Sequence, residues 1–120
     1  MDVERFRDYC ISKKGVTESF PFDDKVLVFK VMGKVFALAD IFEFNYINLK
    51  CDPEKAIELR ANFEEIKPGY HMNKKLWNSV GVKGNLKPEQ ITELIDHSYR
   101  LIVESLSKKL QHELRIEEGK

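Results

Sequence analysis

The chain has 120 residues, 42% of them hydrophobic, with 20 basic and 20 acidic side chains and no net charge at pH 7. That length fits one domain able to bury a core without a disulfide or a structural metal. Exact charge balance excludes a global field that would draw the protein to nucleic acid or membrane, so any electrostatic binding must come from local asymmetry.

The opening MDVERFRDYC carries charges where a secretory signal needs an apolar run, and no stretch reaches the roughly 18 apolar residues of a membrane span, so a cytoplasmic protein is expected. Residues 2–14 predict a helix, because Val3, Phe6, Tyr9 and Cys10 recur every three or four positions and Gly15 supplies a stop. In residues 17–22 Pro21 removes a backbone donor, which predicts an edge strand or an irregular lead-in, and Asp23-Asp24 makes a turn. The β-branched and aromatic runs 26–31 and 35–38 predict a tight hairpin at Met32-Gly33-Lys34, with Gly33 at positive φ. Residues 44–50 alternate: Phe44, Tyr46 and Asn48 are expected on one face, and Asn45, Ile47 and Leu49 on the other. One sheet face would then pack on helices while the other stays partly open.

Asp52-Pro53-Glu54 has the chemistry of a helix start, followed by Ala56, Ile57, Leu59, Arg60 and Phe63 at helical spacing. Pro68-Gly69 signals a turn, and a short strand is expected near residues 76–80. From Lys87-Pro88-Glu89 onward a long stripe (Ile91, Leu94, Ile95, Leu101, Ile102, Leu106, Leu110, Leu114) predicts helix, with a break near Asp96-His97-Ser98. Residues 113–120 are expected to fray. The order of elements predicts one α+β domain over residues 1–120, a two-layer α/β sandwich with an antiparallel sheet. Its uncovered face must suit water, a second copy or a partner.

Residues 66–88, IKPGYHMNKKLWNSVGVKGNLKP, hold five lysines and no acid, whereas residues 1–65 carry 10 basic and 13 acidic groups and residues 89–120 carry 5 and 7. Lysines interleaved with flat side chains suit phosphate contact and base stacking, which singles out Lys67, Tyr70, His71, Asn73, Lys74, Lys75 and Trp77 as a nucleic-acid-binding set. A lone tryptophan is more often core than platform, and Leu76 beside Trp77 implies that one of the two faces inward. Five lysines neutralise at most about five phosphates, so the salt slope for duplex DNA should not exceed roughly −4.5. His71, His97 and His112 lack ligand spacing, Asp23 and Asp24 point apart, and GxSxG, GxGxxG and GxxxxGK[ST] are absent. No catalytic residue, metal or cofactor is therefore expected. Cys10 and Cys51, far apart and outside any CxxC, read as free thiols.

The blocks SFPF (19–22), FKVMGKVFAL (29–38), INLKCDPEKAIELR (47–60), IKPGYHMNKKLWNSV (66–80) and HSYRLIVESL (97–106) resemble the MmcQ/YjbR family over roughly residues 5–110. The resemblance implies a small bacterial protein of CyaY-like, double-wing fold and a non-enzymatic module with DNA as a weak, salt-dependent partner. Its matched motif covers Pro68, Gly69, Tyr70, His71, Met72, Asn73, Lys74, Lys75, Trp77 and Asn78, and brings no catalytic residue. That fold is also similar to frataxin, whose iron use depends on an acidic first helix. Here Arg5, Arg7, Lys13 and Lys14 offset Asp2, Glu4 and Asp8, so iron binding is not expected. Similarity to secretion chaperones implies an alternative, a protein-interaction or dimerising module using the open face around Phe44, Tyr46 and Asn48. A third expectation is a small-anion or enzyme pocket lined by His71, Asn73 and Lys74.

Overall fold

Asp2 caps α1 (Val3–Ile11) by accepting the Arg5 N–H at 2.8 Å, and Phe6 and Cys10, one turn apart, are the residues this helix buries. The computed structural model describes residues 1–118. Gly15, at φ 73°, turns the chain into the edge strand β1 (Val16–Ser19). β2 (Val26–Val31) and β3 (Lys34–Asp40) form the expected hairpin, with Met32 as well as Gly33 in the left-handed region. The Asp40 carboxylate then accepts the Phe42 and Glu43 N–H groups and turns the chain toward β4 (Tyr46–Lys50).

Phe44 does not join Tyr46 and Asn48 on the open face. Its backbone is left-handed (φ 43°) ahead of the strand, which breaks the alternation, and its ring enters the core 5.6 Å from that of Phe6. Asp52 caps α2 (Pro53–Asn62), after which the short β5 (Ile66–Pro68) pairs with β6 (Trp77–Gly81).

α3 (Pro88–Ser105) runs unbroken through the expected break at 96–98. Ser98 is fully buried there: its hydroxyl donates to the Phe36 carbonyl at 2.5 Å and accepts the Lys50 N–H at 2.9 Å. The β3–β4 register pairs Ala37 with Leu49 and Leu38 with Asn48, so Ser98 bridges the two strands just where that ladder ends. The helix stops at Leu106, and the Ser107 hydroxyl accepts the Leu110 N–H at the start of α4 (Lys108–Glu118). The segment expected to fray from 113 is thus helical through 118, because Leu114 is buried close to Gly15; residues 119–120 lie outside the described part.

The six strands form one antiparallel sheet in the order β1-β2-β3-β4-β6-β5. Phe29, Ile47, Leu49 and Val80 meet Phe6, Ile91, Ile95 and Ile102 in a single core on the helix side. The fold is α+β, and only one sheet face is taken by that core.

Candidate binding cleft on the open sheet face

The strand register sets Val28, Leu38, Asn48, Ser79 and Lys67 side by side across β2, β3, β4, β6 and β5. Their neighbours Phe29, Ala37 and Leu49 point into the core, so this row faces the other way by the two-residue period of a strand. It forms the floor of a cleft of about 770 Å³, flanked by Phe22, Tyr46, Tyr70, His71 and Met72. Phe22 and Tyr70 are 73% and 70% exposed, so both rings are accessible to a ligand in the cleft.

The connection between β5 and β6 builds one wall. A Cβ on Gly69 would lie 2.8 Å from the Trp77 Cβ and 3.0 Å from the Trp77 carbonyl, so only glycine allows this approach, which is sealed by Gly69 N–H donating to Trp77 O at 2.8 Å. His71 is left-handed at φ 60° and its ring lies 4.0 Å from that of Tyr70. Tyr70 N–H donates to the Ser79 hydroxyl at 3.0 Å, and that hydroxyl donates to Asn48 Oδ1 at 2.5 Å. From the helix side Arg60 of α2 clamps the same segment: Nε donates to the buried Asn78 Oδ1 at 2.7 Å, and Nη2 donates to the carbonyls of Trp77 (3.1 Å) and Lys74.

Of the residues the sequence singles out, Lys67, Tyr70 and His71 come together in the cleft lining. Asn73 instead organises the turn, its side chain accepting the Lys75 N–H at 3.0 Å, and the Lys74 ammonium folds back onto the Gly69 carbonyl at 3.2 Å. Lys75 is exposed beyond the lining, and Trp77 is half-buried, paired with Lys50. The expected pocket of His71, Asn73 and Lys74 therefore does not form; only His71 lines the cleft. Sequence reasoning overlooked Phe22, Met72 and Ser79, although strand alternation opposite Leu27 and Phe29 already implied that Val26 and Val28 face the open side.

Charge in the cleft is divided. Asp40 and Glu43 line it together with Lys67 and His71, so acids and bases share one groove. Outside it, the two thiols are inert near neutral pH: burial pushes Cys10 up to about 12 and Cys51 to about 11. Among the described residues no group of three His, Cys, Asp or Glu side chains could hold a metal ion, and no helix is long and apolar enough to cross a membrane.

An antiparallel sheet backed by helices on one face and carrying an aromatic-walled cleft on the other defines a small α+β domain with an accessible sheet surface. The chain belongs to the YjbR family, whose model matches residues 11–101. It is 39% identical over 97 residues to the "uncharacterized protein YbdF" of Escherichia coli O157:H7, covering 80% of each chain. To the "uncharacterized protein YjbR" of Escherichia coli K12 it is 33% identical over 110 residues, covering 91% of this chain and 93% of the relative. Among solved structures it is similar to a Deinococcus radiodurans protein of the domain family DUF419, with TM-score 0.86, 40% identity and 94% and 87% coverage of the two chains. A Pseudomonas syringae protein matches with TM-score 0.73 and 31% identity, over 84% of this chain and 98% of the other.

Proposed function

We propose that the protein is a non-enzymatic module that binds single-stranded DNA on the open face of its sheet. The observation that carries this reading is the cleft itself: a volume of about 770 Å³ falls within the ~300–1,000 Å³ range of ligand pockets, and its flanks are rings. Unpaired bases offer flat faces to Tyr46, Tyr70 and Phe22, while Lys67 at the lining and Lys75 farther out take phosphates. A duplex fits this site poorly, because its bases are already stacked and cannot reach the recessed floor. With two phosphates neutralised, the salt slope for single strands is roughly −1.4.

Fluorescence anisotropy of a labelled single-stranded oligonucleotide and of its duplex, at two salt concentrations, tests the reading. The single strand should bind more tightly and weaken with salt, and Tyr70→Ala should cost roughly 5- to 160-fold, the range for one stacked base. Failure of the single strand to bind at low salt, or an unaltered affinity in folded Tyr70→Ala, would refute it.

A second reading is favoured by the apolar floor of Val26, Val28, Leu38 and Met72 and by the acids Asp40 and Glu43. These suit an extended protein segment carrying apolar and basic side chains. Light scattering that finds a dimer, or competition between such a peptide and DNA, would favour it.

A further inference from the structure

We infer that a cavity between α2 and α3 is a second binding site and takes a small amphipathic carboxylate, its acid group between Lys55 and Arg100 and its alkyl chain on the apolar walls. The site shares no lining residue with the open-face cleft, and the inference does not depend on the nucleic-acid reading. The cavity measures about 430 Å³, inside the ~300–1,000 Å³ range of small-molecule sites. Leu59, Phe63, Ile66, Leu86 and Leu94 give it apolar walls. Lys55, Leu59 and Phe63 recur every four residues, which sets a cation and two apolar side chains along one face of α2. Arg100 comes from α3, and His97 reports both cations at once: Lys55 and Arg100 each lower its pKa, more strongly than Asp52 and Glu104 raise it. The local field is therefore positive with those acids counted.

Among the described residues the ion pairs are Arg7–Glu18 and Lys13–Asp96, so neither Lys55 nor Arg100 has an acid of its own. Two acids line the same cavity without cancelling them. Asp96 is already engaged, one carboxylate oxygen accepting the Tyr9 hydroxyl at 2.7 Å and the Lys13 ammonium at 2.5 Å. Glu93 precedes Arg100 by two turns of α3, about 10 Å along the helix axis. A carboxylate placed between Lys55 and Arg100 relieves their repulsion and accepts charge-assisted hydrogen bonds. An alkyl chain behind it covers apolar wall that water otherwise wets. A neutral alcohol supplies only the second contribution, and acetate only the first.

The test is an NMR titration of isotope-labelled protein with sodium hexanoate, sodium acetate and hexanol, for wild type and for Lys55→Gln with Arg100→Gln. Both cations are exposed, so the double variant should fold, which circular dichroism checks. Hexanoate should shift the side-chain resonances of Leu59, Phe63, Leu86 and Leu94. It should bind roughly tenfold or more tighter than hexanol, the scale of hydrogen bonds to a charged group. Acetate should also be weaker by at least roughly tenfold, since each fully buried methylene is worth roughly fourfold. Bound hexanoate should raise the His97 pKa by neutralising the two charges that lower it, and hexanol should leave it unchanged. The double variant should bind hexanoate no better than hexanol. Hexanoate that shifts none of the four side chains at its highest soluble concentration, hexanol that binds as tightly, or a folded double variant with wild-type affinity overturns the inference. None of these results bears on the open sheet face, whose reading stands or falls with the oligonucleotide measurements.

Discussion

Replacing Arg60 by alanine isolates the link between α2 and the wall of the cleft. Its guanidinium donates to Asn78 Oδ1 at 2.7 Å, and Asn78 is only 2% exposed, so truncation leaves a buried acceptor unpaired. That alone costs about 1–3 kcal/mol, and loss of the charge-assisted bonds to the Trp77 and Lys74 carbonyls adds less, because those groups can rehydrate. A total of about 2–4 kcal/mol is a large part of the ~5–15 kcal/mol that holds a domain together, and corresponds to a fall in Tm of order 10 °C. Arg60→Lys should recover less than half, since an ammonium cannot place donors on separate acceptors as a planar fork does. Urea denaturation gives the energy, and hydrogen exchange should show amides of residues 69–77 losing more protection than those of β2. A loss below about 0.5 kcal/mol with unchanged exchange would refute the bracing role.

Ser98→Ala removes the hydroxyl that joins the Phe36 carbonyl to the Lys50 N–H, and should cost about 2 kcal/mol in chemical denaturation because both backbone groups lose their partner inside the protein. Gly15→Ala would place a Cβ 2.6 Å from Leu114 Cδ1 at a left-handed φ of 73°, whereas Gly33→Ala at φ 86° meets nothing within 4 Å. The first should lose about 2–3 kcal/mol and the second only about 1 kcal/mol, measured as the two melting shifts. His97 accepts the Asp52 N–H, and burial first, then the charges of Lys55 and Arg100, lower its pKa against the weaker opposing pull of Asp52 and Glu104. The unfolded chain therefore binds more protons than the native one as pH falls below the ordinary value of 6.5, so this contribution is present above 6.5 and is lost as pH drops through the folded value. Denaturation midpoints should fall more steeply between pH 7 and pH 5 in wild type than in His97→Gln.

Local patterns carried much of the architecture. The 26–38 hairpin follows from β-branched runs around Gly33, and the first helix from the spacing of Phe6 and Cys10. Errors arose where a distant partner decides a residue's role. Ser98 reads locally as a helix cap, but its partners lie 62 and 48 residues away on the sheet. Phe44 reads as part of an alternating strand, yet the Asp40-held turn puts its backbone into the left-handed region two residues before pairing begins. The basic segment 66–88 was legible as unusual, although not the division of labour within it: Lys74 serves the loop, whereas Lys67, Tyr70 and His71 line the cleft. Arg60 was legible only as one of the residues at helical spacing after Pro53, because its task depends on a loop brought beneath α2 only by folding.

The most direct test of the central claim is a two-dimensional NMR titration of the labelled protein with a short single-stranded thymidine oligonucleotide at low salt. Binding at the cleft should shift the resonances of Tyr46, Asn48, Lys67, Tyr70, His71 and Ser79, with little change on α3. Shifts confined to the helix side, or none at saturating oligonucleotide, would contradict the assignment of the open sheet face as the binding surface.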